Sequence, residues 1–202
     1  PMHGITLPQL RIRGRRRGRA RASCICARCR FCRHVDVHHC RPFVPWPDAR
    51  LRTPAETVGP ITDPIRAIWD EMIETMDAMP GYGLAAPQIG VMLRLAVVDC
   101  STERGQAIRL ANPEIIASSP ETSDWDEASP NLPGVAARIT RPAEVTVAFT
   151  DHEGNQVTRD FTGLWATSVQ HQIDHLAGIM YFDHLSGMKR QMLVKKARKL
   201  KR

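Results

Sequence analysis

An α+β fold is predicted for this chain, with mainly antiparallel strands around a helix that carries two histidines. Three observations predict it. Apolar residues recur at helical spacing through Ile65, Ile68, Trp69, Met72 and Met76, the period of a helix with one buried face. Val145–Thr150 and Gln156–Phe161 flank the turn sequence Asp151-His152-Glu153-Gly154, the pattern of an antiparallel hairpin. A second helical stretch, Leu164 to Leu176, holds His171 and His175, and residues four apart on a helix stand one above the other on the same face. Helices combined with mainly antiparallel strands place the chain in the α+β class.

The elements follow in order. Trp46 to Pro60 is Pro-rich and predicts an extended arm that lies on a surface. Asp63 reads as an N-cap with Pro64 at the first helical position, where its missing N–H costs nothing. That helix continues to a stop at Pro80-Gly81. Leu93–Asp99 reads as a buried strand and Ile108–Asn112 as a second. The hairpin at 145–161 comes next, then the helix at 164–176. Gly178 is placed to end it, since glycine tolerates the left-handed cap conformation. A last helix from Lys189 carries basic and apolar residues, one glutamine and no acid.

The net charge of +7 over 202 residues averages three unlike regions. Residues 1–41 hold 11 Arg and one acid, and residues 189–202 hold 8 Lys or Arg and no acid. Residues 42–188 hold 9 basic and 20 acidic residues. The organisation predicted is an Arg- and Cys-rich extension over 1–42, an acidic folded domain over 43–188, and a basic C-terminal helix over 189–202. No apolar run approaches the roughly 20 residues of a membrane span, and no secretory signal is evident. Five of the six cysteines fall within 24–40, which is not a disulfide framework, so a reducing, cytoplasmic setting is expected.

Residues 1–42 admit several readings. Seven arginines within Arg11–Arg21, without apolar periodicity, predict disorder. Cys24, Cys26, Cys29, Cys32, His34, His38, His39 and Cys40 are metal-ligand types, but the spacing matches neither paired knuckles nor a cluster motif. An Arg-rich, acid-poor stretch also suits targeting or nucleic acid. The chain begins Pro1-Met2 with no further Met until Met72, so an upstream reading frame joined by a misplaced start is the plainer expectation.

The candidate chemistry lies at Gln170-His171-Gln172-Ile173-Asp174-His175. In HExxH hydrolases two helical histidines hold one cation, and the intervening Glu takes a proton from the metal-bound water. Gln172 occupies the Glu position, and an amide holds no proton there near neutral pH.

Three ordered segments resemble one family, the peptide deformylases, which remove the formyl group from the N-terminal methionine of new polypeptides. Gly81-Tyr82-Gly83-Leu84-Ala85-Ala86-Pro87-Gln88-Ile89-Gly90 is similar to the family's GxGLAAPQIG. Glu127-Ala128-Ser129-Pro130-Asn131-Leu132-Pro133-Gly134 stands where the family has EGCLSxPG. Gln170–Gly178 resembles QHExDHLxG except at Gln172. Asp48-Ala49-Arg50-Leu51-Arg52 and Arg141-Pro142 extend the similarity across about 43–188.

The resemblance implies metal-assisted amide hydrolysis with a divalent metal, Fe2+ or Zn2+. It implies ligands at His171, His175 and Ser129, the last replacing a cysteine. It also implies a base at Gln172, replacing glutamate, and oxyanion donors from the Gln88 side chain and from the backbone at 130. Tyr82, Gly83 and Leu84 would line the peptide site, whose partner is the N-terminal peptide of new polypeptides. The family's C-terminal helix can associate with the ribosome, which gives the basic segment 189–202 an RNA-facing reading. Asp124, Asp126 and Glu127 are nearby candidates to replace the lost ligand.

Each departure has a physical consequence. A neutral hydroxyl in place of a thiolate removes charge and softness from the metal site. Pro130 has no N–H, which deletes one oxyanion donor, a loss typically worth ~10²–10³ in turnover. Gln172 removes general-base assistance of roughly 10²–10⁴. Thr167 and Ser168 make the pocket wall more polar than a methionine side chain favours. The function expected is a peptide deformylase-like protein with impaired or absent hydrolysis. Two alternatives stand beside it: an active metal-dependent amide hydrolase with an altered metal shell, and a ribosome- or RNA-associated binding protein.

Overall fold

The run Leu95-Ala96-Val97-Val98 is buried at all four positions, and that double-sided burial organises the body. The computed structural model describes residues 41–79 and 81–200. Its elements run α1 (Asp63–Asp77), β1 (Gly83–Ala85), β2 (Leu95–Val98), β3 (Ile108–Ser118), β4 (Thr122–Ala128), β5 (Ala136–Pro142), β6 (Glu144–Thr150), β7 (Gln156–Thr162), α2 (Gly163–Leu176) and α3 (Gly187–Leu200). Short 3-10 turns span Ala49–Arg52, Ala86–Ile89 and Tyr181–His184. Five strands form one antiparallel sheet in the order β1-β2-β3-β6-β7, and β4 pairs with β5 in a separate two-stranded sheet. This is the α+β architecture that the sequence predicts.

Side chains alternate between the two faces of a strand. Leu84, Leu95 and Val97 therefore pack with Trp69, Met72 and Met76 of α1. Ala85, Ala96 and Val98 join Ala166, Val169 and Leu176 of α2 in a second core. A strand covered on both faces reads as a continuous apolar run, and small alanines on the α2 side admit that helix closely. A third core gathers Val44, Leu51, Leu132, Val135, Ile139, Tyr181 and Phe182, and Ala197 of α3 packs into it.

The structure corrects the element boundaries. Thr62 is the N-cap of α1, so Asp63 takes the first helical position and Pro64 the second. The carboxylate then sits in the first turn, where the helix dipole favours it. Helix α1 ends at Asp77, ahead of Pro80-Gly81, and α3 begins at Gly187, two residues before Lys189. The 46–60 arm is not merely laid on a surface: Leu51 is buried, and Glu56 bridges Leu93.

Strand β3 runs on past Asn112-Pro113 to Ser118 because the register shifts between Ala111 and Glu114. Asn112 adopts φ 50°, and its side chain bonds both the N–H and the carbonyl of Val58 at 2.8 Å. A sequence stop signal is here a bulge that pins the arm to the sheet. Strands β1, β4 and β5 were not expected as strands. The Arg- and Cys-rich stretch through Cys40, with its metal, targeting and nucleic-acid readings, lies outside the described residues. No helix among the described residues is long and apolar enough to cross a membrane.

Gly178 has φ 74°, and a Cβ there would lie 2.7 Å from the carbonyl carbon and oxygen of Arg52. The turn after α2 thus requires glycine for conformation and for close approach to the arm. Gly154 has φ 98° with open space around it. Gly154→Ala is expected to destabilise by about 1 kcal/mol and Gly178→Ala by roughly 3 kcal/mol, read as urea midpoints at constant m value. Equal losses would show that the Arg52 contact does not matter.

Candidate functional site

Four segments converge beside α2. Helix α2 presents His171 and His175 one turn apart. The end of β4 brings Glu127, the loop behind it brings Ser129, Pro130 and Asn131, and the turn after β1 brings Gln88.

Nε2 of His171 and Nε2 of His175 face each other at 3.1 Å, with the rings crossed at 65°. Two nitrogens sharing one tetrahedral ion at bond lengths of ~2.0–2.1 Å sit about 3.3 Å apart, so the pair keeps a metal-compatible spacing. Nδ1 of His171 lies 2.7 Å from the Glu127 carboxylate. A carboxylate at that position fixes the proton on Nδ1 and leaves Nε2 as the acceptor, so His175 donates its Nε2–H across the gap. Burial, reinforced by the charges of His171 and Arg141, holds His175 well below the usual histidine range, and its imidazole is neutral. Tyr181 stacks on His171 at 6.0 Å and 18°.

Glu127 is itself held by Arg141 of β5, whose Nε and Nη2 donate to its two oxygens at 2.6 and 3.0 Å. Burial alone would raise the Glu127 carboxyl; the hydrogen bonds from His171 and Arg141 overcome it and hold the group at about 2. Arg141 also meets Asp174 of α2 at 2.8 Å, and Asp174 meets His184 at 2.7 Å. Sequence reasoning treated Arg141 as a flanking match and assigned nothing to Asp174, His184, Tyr181 or Asn131. Arg141 and Glu127 are buried on neighbouring strands, where each needs the other, and no local pattern in the sequence marked that burial.

Ser129 does not face the imidazoles through any hydrogen bond. Its hydroxyl donates to Asn131 Oδ1 at 2.9 Å and accepts from Gln88 Nε2 at 3.4 Å. Pro130 follows it with no N–H to offer. Gln172 is 4% exposed, and its Oε1 is buried without a hydrogen-bond partner. Its Nε2 and the Ser168 hydroxyl would each lie 2.8 Å from a Cβ at Gly83, so a larger residue there would have to push one of these side chains aside.

Tyr82 stands at the rim, 52% exposed, and its carbonyl accepts from Ser168 at 3.0 Å. Thr167 bonds the Gly163 carbonyl at 3.4 Å. Both hydroxyls of the polar wall are therefore spent on backbone. Leu84 turns its side chain into the α1 core and leaves only its backbone near the site. Strand β1 ends the five-stranded sheet.

The donor set for a cation is incomplete. Among the described residues no group of three or more His, Cys, Asp or Glu is placed to hold a metal ion. Asp124 and Asp126 are exposed on β4, and Glu127 lies on the far nitrogen of His171. Cys100 is no substitute: its thiol faces the Leu164 and Tyr82 carbonyls, and burial pushes it up to about 11.

Comparison with known proteins identifies the family to which this fold belongs. The family model for polypeptide deformylase matches residues 40–191. A peptide deformylase of Methylocella silvestris is 40% identical over 164 residues, covering 79% of this chain and 84% of that protein. One of Rhizobium meliloti is 40% identical over 158 residues, covering 77% and 91%. The crystal structure of a peptide deformylase from Legionella pneumophila superposes with a TM-score of 0.75 at 36% identity, over 80% of this chain and 95% of that one. That of the Ehrlichia chaffeensis enzyme in complex with actinonin gives 0.75 at 34% identity, over 81% and 98%. With the motif order, the fold and these relatives in agreement, the chain belongs to the polypeptide deformylase family.

Proposed function

We propose that this chain is a deformylase-family protein that retains a pocket for the N-terminal end of a new polypeptide but has lost the hydrolysis of its formyl amide. The observation that carries this reading is the orphaned, buried Oε1 of Gln172. A carboxylate there would take a proton; an amide oxygen cannot accept one and pass it on at neutral pH. The other two departures act at the same centre, since Ser129 supplies no thiolate and Pro130 no N–H.

The residues fit two ligands of a divalent ion and not the third. His171 and His175 have the spacing for it, with Glu127 behind His171 as the orienting carboxylate; His175 would give up its Nε2 proton on binding. The Ser129 hydroxyl is neutral and bonded elsewhere. The intact imidazole pair is the specific observation that favours the second reading, an amide hydrolase with an altered metal shell, and metal retention separates the two.

The basic C-terminal helix supports a further part of the reading, association with the ribosome. Leu193, Val194 and Ala197 of α3 pack onto the third core, whereas Met192 and Leu200 are exposed. Lys189, Lys195, Lys196, Arg198 and Lys199 are exposed, which leaves a cationic outer face suited to phosphate. Because α3 is docked, deleting it would open a core, and charge reversal is the cleaner test.

Three outcomes are expected. Supplied with Fe2+ or Ni2+, the chain should turn over formyl-Met-Ala-Ser at least about 10³-fold more slowly than an active relative, the losses of base and donor being less than multiplicative. Ordinary turnover would end the main reading. Elemental analysis after desalting should find well under one ion per chain, and Ser129→Cys should raise retention; a full, chelator-sensitive complement in the unaltered chain would favour the second reading. Lys195→Glu with Lys199→Glu should abolish salt-dependent co-sedimentation with ribosomes while leaving thermal unfolding unchanged, and undiminished co-sedimentation would remove the ribosome from the proposal.

A further inference from the structure

The three departures visible in the motifs leave Gln88 as the one oxyanion donor whose identity is kept. Its surroundings show that the donor is already occupied. The N–H of Ala85 donates to Gln88 Oε1 at 2.8 Å, so the amide can face only one way, with Nε2 toward the loop behind β4. There Nε2 donates to Asn131 Oδ1 at 3.0 Å and to Ser129 Oγ at 3.4 Å. Asn131 is fixed as firmly. Its Nδ2 donates to the Val44 carbonyl at 2.7 Å and to the Gln88 carbonyl at 2.9 Å, so Oδ1 must be the atom that points at Gln88 and Ser129. The Ser129 hydroxyl then donates to Oδ1 at 2.9 Å. The ring is closed, and Gln88, Ser129 and Asn131 are 1%, 3% and 0% exposed.

We propose that Asn131 is a fourth silencing position, which acts by fixing the Gln88 amide toward itself and away from a substrate oxygen. This rests on the reading that the site has lost hydrolysis, and it adds a residue that acts through another. The family motif has serine at this place, EGCLSxPG against Glu127–Gly134. A serine has no carbonyl acceptor, and it cannot make the two backbone bonds that orient one. Asparagine supplies both in a single planar group: one end ties the Val44 arm to the Gln88 turn, and the other end captures the donor. A buried donor that already has acceptors gives a developing oxyanion little, because each new bond would replace one already made. The same bonds give Asn131 a use that does not depend on catalysis, since it joins three chain segments in the core.

Two measurements on the full chain test this. In the unaltered protein, the Gln88 side-chain amide hydrogens should exchange with solvent far more slowly than those of an exposed glutamine, followed by NMR; exchange at the exposed rate overturns the closed ring. Turnover of formyl-Met-Ala-Ser by the Ni2+-supplied variant Ser129→Cys/Pro130→Leu/Gln172→Glu should then be compared with the same variant carrying Asn131→Ser. The fourth change should raise turnover roughly 10²-fold, the usual worth of one oxyanion donor, and equal or lower turnover overturns the role of Asn131. Should the fourth change prevent folding, Asn131→Thr in the triple variant serves instead, its hydroxyl likewise lacking a carbonyl: a roughly 10²-fold gain supports the proposal, and equal or lower turnover overturns it. Ordinary turnover by the unaltered chain would overturn the proposed function itself, a different result from any of these.

Discussion

The Glu127 carboxylate is the point on which the site depends. It sits between Arg141 on the neighbouring strand and His171 on α2, and through Arg141 it reaches Asp174 on the same helix. The two-stranded sheet and the histidine helix are therefore joined by buried charge. Such a network is expensive to bury, and removing one member typically costs about 3–5 kcal/mol because the others are left unpaired. Its geometry is correspondingly fixed. The tautomer of His171, the donation by His175 and the angle between the rings all follow from where Glu127 is held.

Against that frame, on the function proposed, the positions that would react carry groups that bond inward. Ser129 and Gln88 both turn to Asn131, Ser168 and Thr167 turn to backbone carbonyls, and Gln172 is buried with one atom unsatisfied. A hydrolase presents unsatisfied donors and a base to its substrate and so carries them at some cost to stability. On the proposed reading, closing all but one of these demands within the protein exchanges chemistry for cohesion. The supporting shell persists because it is also structural: Glu127 and Arg141 are buried charges that cannot be changed singly, whereas the reacting groups can.

The C-terminal helix combines both kinds of role. Ala197 is buried among Leu132, Val135 and Phe182, and Leu200 lies 3.1 Å from where a Cβ would stand on Gly134. The helix thus covers the loop that carries Ser129 and Asn131. Its cations have no acidic neighbour on their own helix to neutralise them, and the charge asymmetry between a basic end and an acidic body is preserved in space.

The class of the fold, the two long helices, the hairpin at 144–162 and the histidine pair were legible in the residues, because periodicity and turn chemistry are local. The residue types at 129, 130 and 172 were legible too, since lacking a thiolate, an N–H or a carboxylate is a property of the side chain or ring. Strands β4 and β5 were not, because their inward positions include Glu127 and Arg141, whose burial makes sense only once they are paired. Asn112-Pro113 read as a stop until the contact with Val58 showed a bulge. Asn131 read as one more polar loop residue. Its bonds to Val44 and Gln88 span 87 and 43 residues of chain, and no local pattern encodes which distant carbonyls will fix an amide. The sequence by itself determined which chemical groups are present; only the tertiary structure decided which of them are already spoken for, because hydrogen bonds between remote segments exist only after the chain has brought those segments together.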